Sequence, residues 1–460
     1  MRRGHFWMWC KRVSGMFHRR SLALRVTSSH AITFLLLCMP MLVTAAPGVP
    51  SFNRDVVPIL QNRCQECHRP GQVAPMAFVT YKQTRPWAKA IREAVLLKKM
   101  PPWFAEPGYG PFANDRSLTA EEMDTLVRWA DVGAPEGSAQ DRPPARQWTE
   151  GWNIPRPDAV LSMPHAFALP ASGDVEYQYM VIPTGFAEDN WVQMAELRPG
   201  NRAAVHHAVV YVREPGSTWL RDAQPGVPYV PPGSTSRERL LNGSTTSDIL
   251  LVYSPGNVPE TWDTGLAKLI PAGSDLVFEM HYTTNGRASS DQTSLGLVFS
   301  PEKPARRVLT LQIGNDRFII PAGHPHYRVA AWGTLPNDAT LLGFFPHMHL
   351  RGKSFEYNLV EPGGKRRTLL RVNPYNFYWQ LSYRLAQRLA LKAGTELECV
   401  AYFDNSRGNP NNPDAEEAVR FGPQSWEEMM IGFFDVAVDA RTDKPAFFIR
   451  PGAENRSPPR

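Results

Sequence analysis

The sequence predicts a multidomain protein, a small all-α domain followed by two all-β sandwich domains. Three observations carry this. The chain has 460 residues, and a single hydrophobic core rarely serves more than about 250–300. Helical periodicity is confined to residues 47–137. Beyond them lie short β-rich runs separated by turn formers, in a chain holding 43 Pro and 33 Gly.

Residues 1–46 read as a signal peptide. Arg2, Arg3, Lys11, Arg12, Arg19, Arg20 and Arg25 form a basic region with no acidic residue, and Ala31–Val43 is an apolar stretch before a plausible cleavage site at Val43-Thr44-Ala45. That stretch is short of the ~20 residues a bilayer span needs, and Pro40 interrupts it, which disfavours the alternative of a retained anchor. Leu37-Cys38 is a poor lipidation site. The long basic region also leaves open a start at Met16. Export implies a periplasmic or secreted protein. Removing the segment takes away seven basic residues and no acidic one, so the net charge falls from +6 to −1. No net basic field remains to recruit nucleic acid or anionic lipid, and no stable membrane insertion is expected afterwards.

Residues 47–137 contain Cys64-Gln65-Glu66-Cys67-His68, the C-x-x-C-H attachment signature of a c-type haem. Two thiols three residues apart each add to one vinyl group, and His68 becomes an axial iron ligand. Asp55–Arg63 leads into the motif. Pro86–Lys99 places Trp87, Ile91, Ala94, Val95 and Lys98 near helical spacing. Thr119-x-x-Glu122 is a capping box that opens a helix carrying Met123, Leu126, Val127 and Ala130, ended by Gly133. Three short helices around this motif suit a small cytochrome c-like domain holding one haem. Met100, in a Pro-rich loop, is the expected distal ligand, and Met76 the alternative. Cys10 and Cys38 leave with the signal, so Cys399 has no evident disulfide partner.

Residues 138–157 are polar and Pro-rich, and read as a linker. Val205–Arg213, Asp275–Thr283, Thr340–Phe345, Ser354–Leu359 and Glu396–Phe403 have strand character. The expected sandwiches are 158–303 and 304–452, split near Pro301–Arg306, with a tail at 453–460.

Five histidines fall in or beside these strands: the pair His206-His207, the single His281, and His347-Met348-His349. On a strand, His-x-His puts both imidazoles on one face, a common grip on a transition metal. Adjacent histidines point to opposite faces, so His206 and His207 reach one ion only if the backbone twists or bulges there. Imidazole and thioether donors suit copper, and Met429 or Met430 could supply the sulfur. His165, His324 and His326 sit in turn-like contexts and are read as non-ligands.

In order and local context, these residues resemble the type II copper-dependent monooxygenases, which include peptidylglycine α-hydroxylating monooxygenase and dopamine β-monooxygenase. The matching strings are His206-His207, Glu279-Met280-His281-Tyr282, His347-Met348-His349 and Glu427-Glu428-Met429. Residues 50–137 resemble cytochrome c modules fused ahead of such domains. The resemblance implies two jelly-roll-like sandwiches with one copper each, facing each other across a solvent-filled cleft. It assigns His206, His207 and His281 to an electron-transfer copper, and His347, His349 and Met429 to the copper that activates O2. The expected reaction is hydroxylation of a substrate C–H bond, with O2 and a small-molecule substrate as partners and an external electron donor acting through the haem.

Departures from the family pattern bear on the substrate. Where the peptide-hydroxylating enzyme grips a carboxylate, this chain has Phe345, Ile431 and Phe433, which predicts an uncharged, apolar or aromatic substrate. Met430 replaces a family Cys, so rigidity near Met429 is expected from packing instead. Three competing readings are an electron-transfer protein without oxygenase activity, a copper carrier, and a binding domain with structural histidines. The carrier reading is disfavoured by the modest Met content.

Overall fold

Among the described residues, helices form only in the N-terminal region, where the capping signals lie. The computed structural model describes residues 48–148, 151–231, 247–361, 364–442 and 450–451. The expected signal and C-terminal tail lie outside the described residues. The helices are Val57–Arg63, Tyr81–Thr84, Ala88–Leu96 and Ala120–Asp131. The capping box forms as its sequence predicts. Thr119 Oγ1 accepts from Glu122 N, and Glu122 accepts from Thr119 N at 2.9 Å, a cap worth about 1 kcal/mol. Phe52, Leu60, Leu126 and Trp129 close a small core between the helices. Among the described residues no helix is long and apolar enough to cross a membrane.

The chain after Met100 does not stay with the helices. Phe104 and Phe112 enter the core of the C-terminal β half, and Trp103 packs 5.0 Å from the Tyr383 ring. Backbone bonds from Glu106 to Arg371 and from Ala113 to Arg384, each 2.8 Å, seal this arm onto the sheet. Described parts of the expected linker, residues 138–157, are also docked. Gln61 and Arg146 exchange hydrogen bonds with the backbone of Pro144 and Gln61, and Glu196 accepts from the N–H groups of Asn153 and Ile154. The helices are therefore stitched to the β structure at several points.

The rest is β. A nine-stranded sheet runs in the order Ala159–Ser162, Ser294–Phe299, Asn190–Arg198, Leu266–Ile270, Arg306–Gly314, Ile431–Asp439, Ala339–His347 and Tyr383–Leu391, with Glu260–Thr261 paired beside Asn190–Arg198. Its two halves join through a parallel pairing, Arg306 opposite Leu266. A four-stranded sheet carries Gln178–Pro183, Asp275–Tyr282, Val205–Arg213 and Ser247–Tyr253. A five-stranded sheet carries Arg366–Val372, Gly352–Val360, Glu396–Phe403, Tyr327–Thr334 and Arg450–Pro451. Among the described residues two large hydrophobic cores lie among these sheets, one centred on Phe278 and Leu297, the other on Phe355 and Phe434, with a smaller cluster around Tyr179 and Trp219. One sheet continues across the expected split near residue 301–306, and Val308 and Ala437 from beyond it enter the core centred on Phe278 and Leu297.

Candidate metal and haem sites

The Val205–Arg213 strand bulges at the histidine pair. Its register with Asp275–Tyr282 slips between Val205 and His207, which leaves His206 as the extra residue and sets His207 opposite His281. A bulge re-aims side chains, and here it brings two adjacent imidazoles to one point. His206 Nδ1 lies 3.0 Å from His207 Nδ1, which lies 3.2 Å from His281 Nδ1. A ring nitrogen in a neutral imidazole either donates or accepts, so three facing nitrogens cannot all be satisfied by hydrogen bonds among themselves. An ion seated about 2 Å from each, the usual metal–imidazole distance, would satisfy all three. The set fits copper or another imidazole-binding ion.

Each ring is oriented from outside. Tyr177 stacks on His281 at 4.4 Å and Phe377 on His206 at 4.5 Å. Ser425 Oγ lies 3.3 Å from His281 Nε2. Such outer partners fix the tautomer of a ligating imidazole.

Burial, with the charge of His347 adding, pushes His206 down to about 4. Burial likewise holds His207 and His281 well below their ordinary range. All three are neutral at pH 7, the state that binds metal. Unfolded imidazoles titrate near 6.5, so below that value the unfolded chain binds more protons than the folded one. These rings alone therefore make the metal-free protein lose stability as pH falls from about 6.5 toward about 4. Thermal melts across that window check the expectation. An unchanged melting temperature would mean that the rings are solvated.

The second set sits where Ala339–His347 ends. His347 pairs with Ile431, two residues past Met429. His347 Nδ1 donates to Gln380 Oε1 at 2.7 Å, and His349 Nδ1 donates to the Glu427 carbonyl at 3.2 Å. Both rings then carry their lone pair on Nε2. The Glu428 carboxylate accepts from His349 N at 2.9 Å, Arg351 N at 2.6 Å and Met429 N at 3.3 Å. One buried side chain thus ties the His-x-His turn to the methionine. Just beyond, Gly432 packs so tightly against Cys399 that a Cβ there would meet its sulfur at 2.5 Å. Cys399 is a buried free thiol and Met430 is fully buried, so this stretch is held by packing.

The two sets are not separated by an open cleft. The His207 and His347 rings lie 6.0 Å apart, and Phe377 also comes within 6.3 Å of His349. His207, His347 and Met429 share one cavity of about 750 Å³, counting the solvent at its mouth. Phe345, Ile431 and Phe433 line it, together with Val209, Trp219 and Val252; its polar walls are Glu279, with Tyr211 donating to it at 3.0 Å, Gln312 and Gln380. Tyr177, Phe377, Gln380, Ser425 and the role of Glu428 were not legible in the sequence, because they reach the histidines through tertiary contacts.

In the N-terminal region, Cys64 caps the Val57–Arg63 helix and Cys67 follows one turn later, its N–H on Cys64 O at 3.2 Å. Both are free thiols. Burial pushes Cys64 up to about 12. His68 Nδ1 donates to Met76 O at 3.2 Å and its ring stacks on Phe78 at 4.3 Å. Nε2 therefore holds the lone pair, as an axial haem ligand requires. Met76 packs against the helical core, while Met100 is half-buried with its N–H on Ala94 O. His326 stacks on Tyr402, in a turn with His324.

No family model matches this chain, and no curated protein matches it. Among solved structures it is similar to capsid proteins of infectious bursal disease virus. A Gx-strain structure is 12% identical, covers 64% of this chain and 74% of its own, and has a TM-score of 0.18. A VP2 subviral particle is 11% identical, covers 64% and 73%, and also has a TM-score of 0.18.

Proposed function

We propose that the chain is an exported haem- and copper-dependent monooxygenase. In this reading a cytochrome c-like region precedes two jelly-roll-like copper domains, and a C–H bond of an apolar substrate is hydroxylated with O2. The observation that carries the reading is the His206–His207–His281 cluster, whose His207 ring lies 6.0 Å from that of His347 and lines one cavity with His347 and Met429.

When bound, copper cycling between Cu(II) and Cu(I) at the two sets would supply the electrons that O2 reduction needs, and haem would relay them from an external donor. His206, His207 and His281 would hold one ion, and His347, His349 and Met429 the other. Gln380 and the Glu427 carbonyl orient the second pair of imidazoles. Phe345, Ile431 and Phe433 exclude water and present an apolar wall to the substrate. Such a wall has no cation to pair with a peptide carboxylate. Glycine-extended peptides are therefore expected not to turn over, and measurable turnover of one would contradict the assigned substrate class.

Elemental analysis with EPR on the mature protein tests the sites. The expected result is one iron and two type 2 coppers per chain, and iron without copper would overturn the reading. The short His207–His347 separation also favours a second reading, an electron-transfer protein in which the coppers only relay charge. Oxygen uptake by the reduced protein across apolar substrates separates the two.

A further inference from the structure

The C-x-x-C-H segment meets the β structure at one strand. A cavity of about 690 Å³, counting solvent at its mouth, has Glu66, Cys67 and Arg69 on one side and Leu251, Val252 and Tyr253 of Ser247–Tyr253 on the other. Arg116 fastens the two sides, donating to the Gly256 carbonyl at 2.5 Å. Tyr253 is buried, its phenol is raised to about 12 by burial, and it lines this cavity together with Cys67 and Arg202.

The same strand reaches the metal cluster. Tyr253 is the register partner of Ala208, whose chain neighbour is His207. Val252 lines both the cavity beside Cys67 and the cavity that holds His207, His347 and Met429. Strand Ser247–Tyr253 is therefore a wall common to both.

We infer that strand Ser247–Tyr253 is the route by which an electron would reach a copper held by His206, His207 and His281 from a haem attached at Cys64 and Cys67. Tyr253 is the packing bridge, and its strand pairing with Ala208, peptide-bonded to His207, is the approach to the copper ligands. The inference rests on the proposed haem and copper occupancy. In each transfer a bound haem iron would go from Fe(II) to Fe(III) and one bound copper from Cu(II) to Cu(I). One electron moves and no proton is required.

The experiment is flash photoreduction of the haem in copper-loaded and copper-free protein, following haem reoxidation optically under anaerobic conditions. Wild type is expected to reoxidise quickly only with copper bound. Tyr253→Phe keeps the ring and is expected to keep the rate. Tyr253→Ala is expected to slow it several-fold with haem spectrum and copper content unchanged. Tyr253→Leu, which retains apolar bulk, serves if the alanine protein does not fold and is expected to slow it as well. Wild-type rates in the variant that folds would overturn the route. Wild-type haem that reoxidises no faster with copper than without it would instead overturn the haem–copper reading on which the route depends.

Discussion

His281→Ala is expected to remove one of the two coppers and with it all oxygen-dependent turnover. The side chain supplies one of three Nδ1 atoms facing a single point, and two imidazoles alone leave that ion without the geometry the bulge creates. It also supports Tyr177 by stacking and Ser425 by hydrogen bonding. The buried truncation should cost about 1–3 kcal/mol of stability, a size a domain of this kind survives. Elemental analysis should then give one copper per iron, and EPR should show the remaining signal to be that of the set holding Met429. Two coppers retained in the variant would mean that the triad is no ligand set. The haem spectrum should not change, because the ring and hydrogen-bond partners of His281, which include Tyr177, His207, Phe377 and Ser425, lie outside the helical core.

Much of this arrangement was legible in local sequence. A capping box, a C-x-x-C-H and a His-x-His each act within a turn or two, so their geometry follows from backbone periodicity. The condition placed on His206 and His207, that both reach one ion only if the strand bulges, is met by the slipped register at that residue. Nonlocal relations were not legible. Nothing in Pro101–Asn114 announces that Phe104 and Phe112 fill a core more than two hundred residues away, because their apolar character is equally consistent with packing on helices. Nor could periodicity reveal that one sheet crosses both cores through the Leu266–Arg306 pairing. The open cleft implied by resemblance is replaced by ring-to-ring approach between His207 and His347. That approach depends on how the two halves close, and no single strand encodes it.

Glu428→Gln is expected to release the Met429 set while sparing the triad. The carboxylate accepts three backbone N–H groups, two at one oxygen and one at the other. Above about pH 8, where Glu428 is ionised, glutamine keeps one accepting oxygen and turns the other into an amide donor, so at least one buried N–H loses its partner, at about 1–3 kcal/mol. The freed N–H belongs to His349, Arg351 or Met429, and each holds the turn that carries the ligands. Loss of an outer-shell partner of this kind typically weakens metal binding about 10–100-fold. Competitive chelation should therefore strip one copper from the variant well before the other, with the triad's EPR signal the one that persists. Burial raises Glu428 to about 8 in the metal-free protein, against the opposing pull of those N–H groups and Arg351. An unfolded carboxyl titrates near 4.3, so between about pH 5 and 8 the folded chain binds the extra proton and stability falls as pH rises. Glutamine cannot ionise, so the variant should lose this downward slope. A variant that releases both coppers together, or that keeps the slope, would show that Glu428 does not hold the second site.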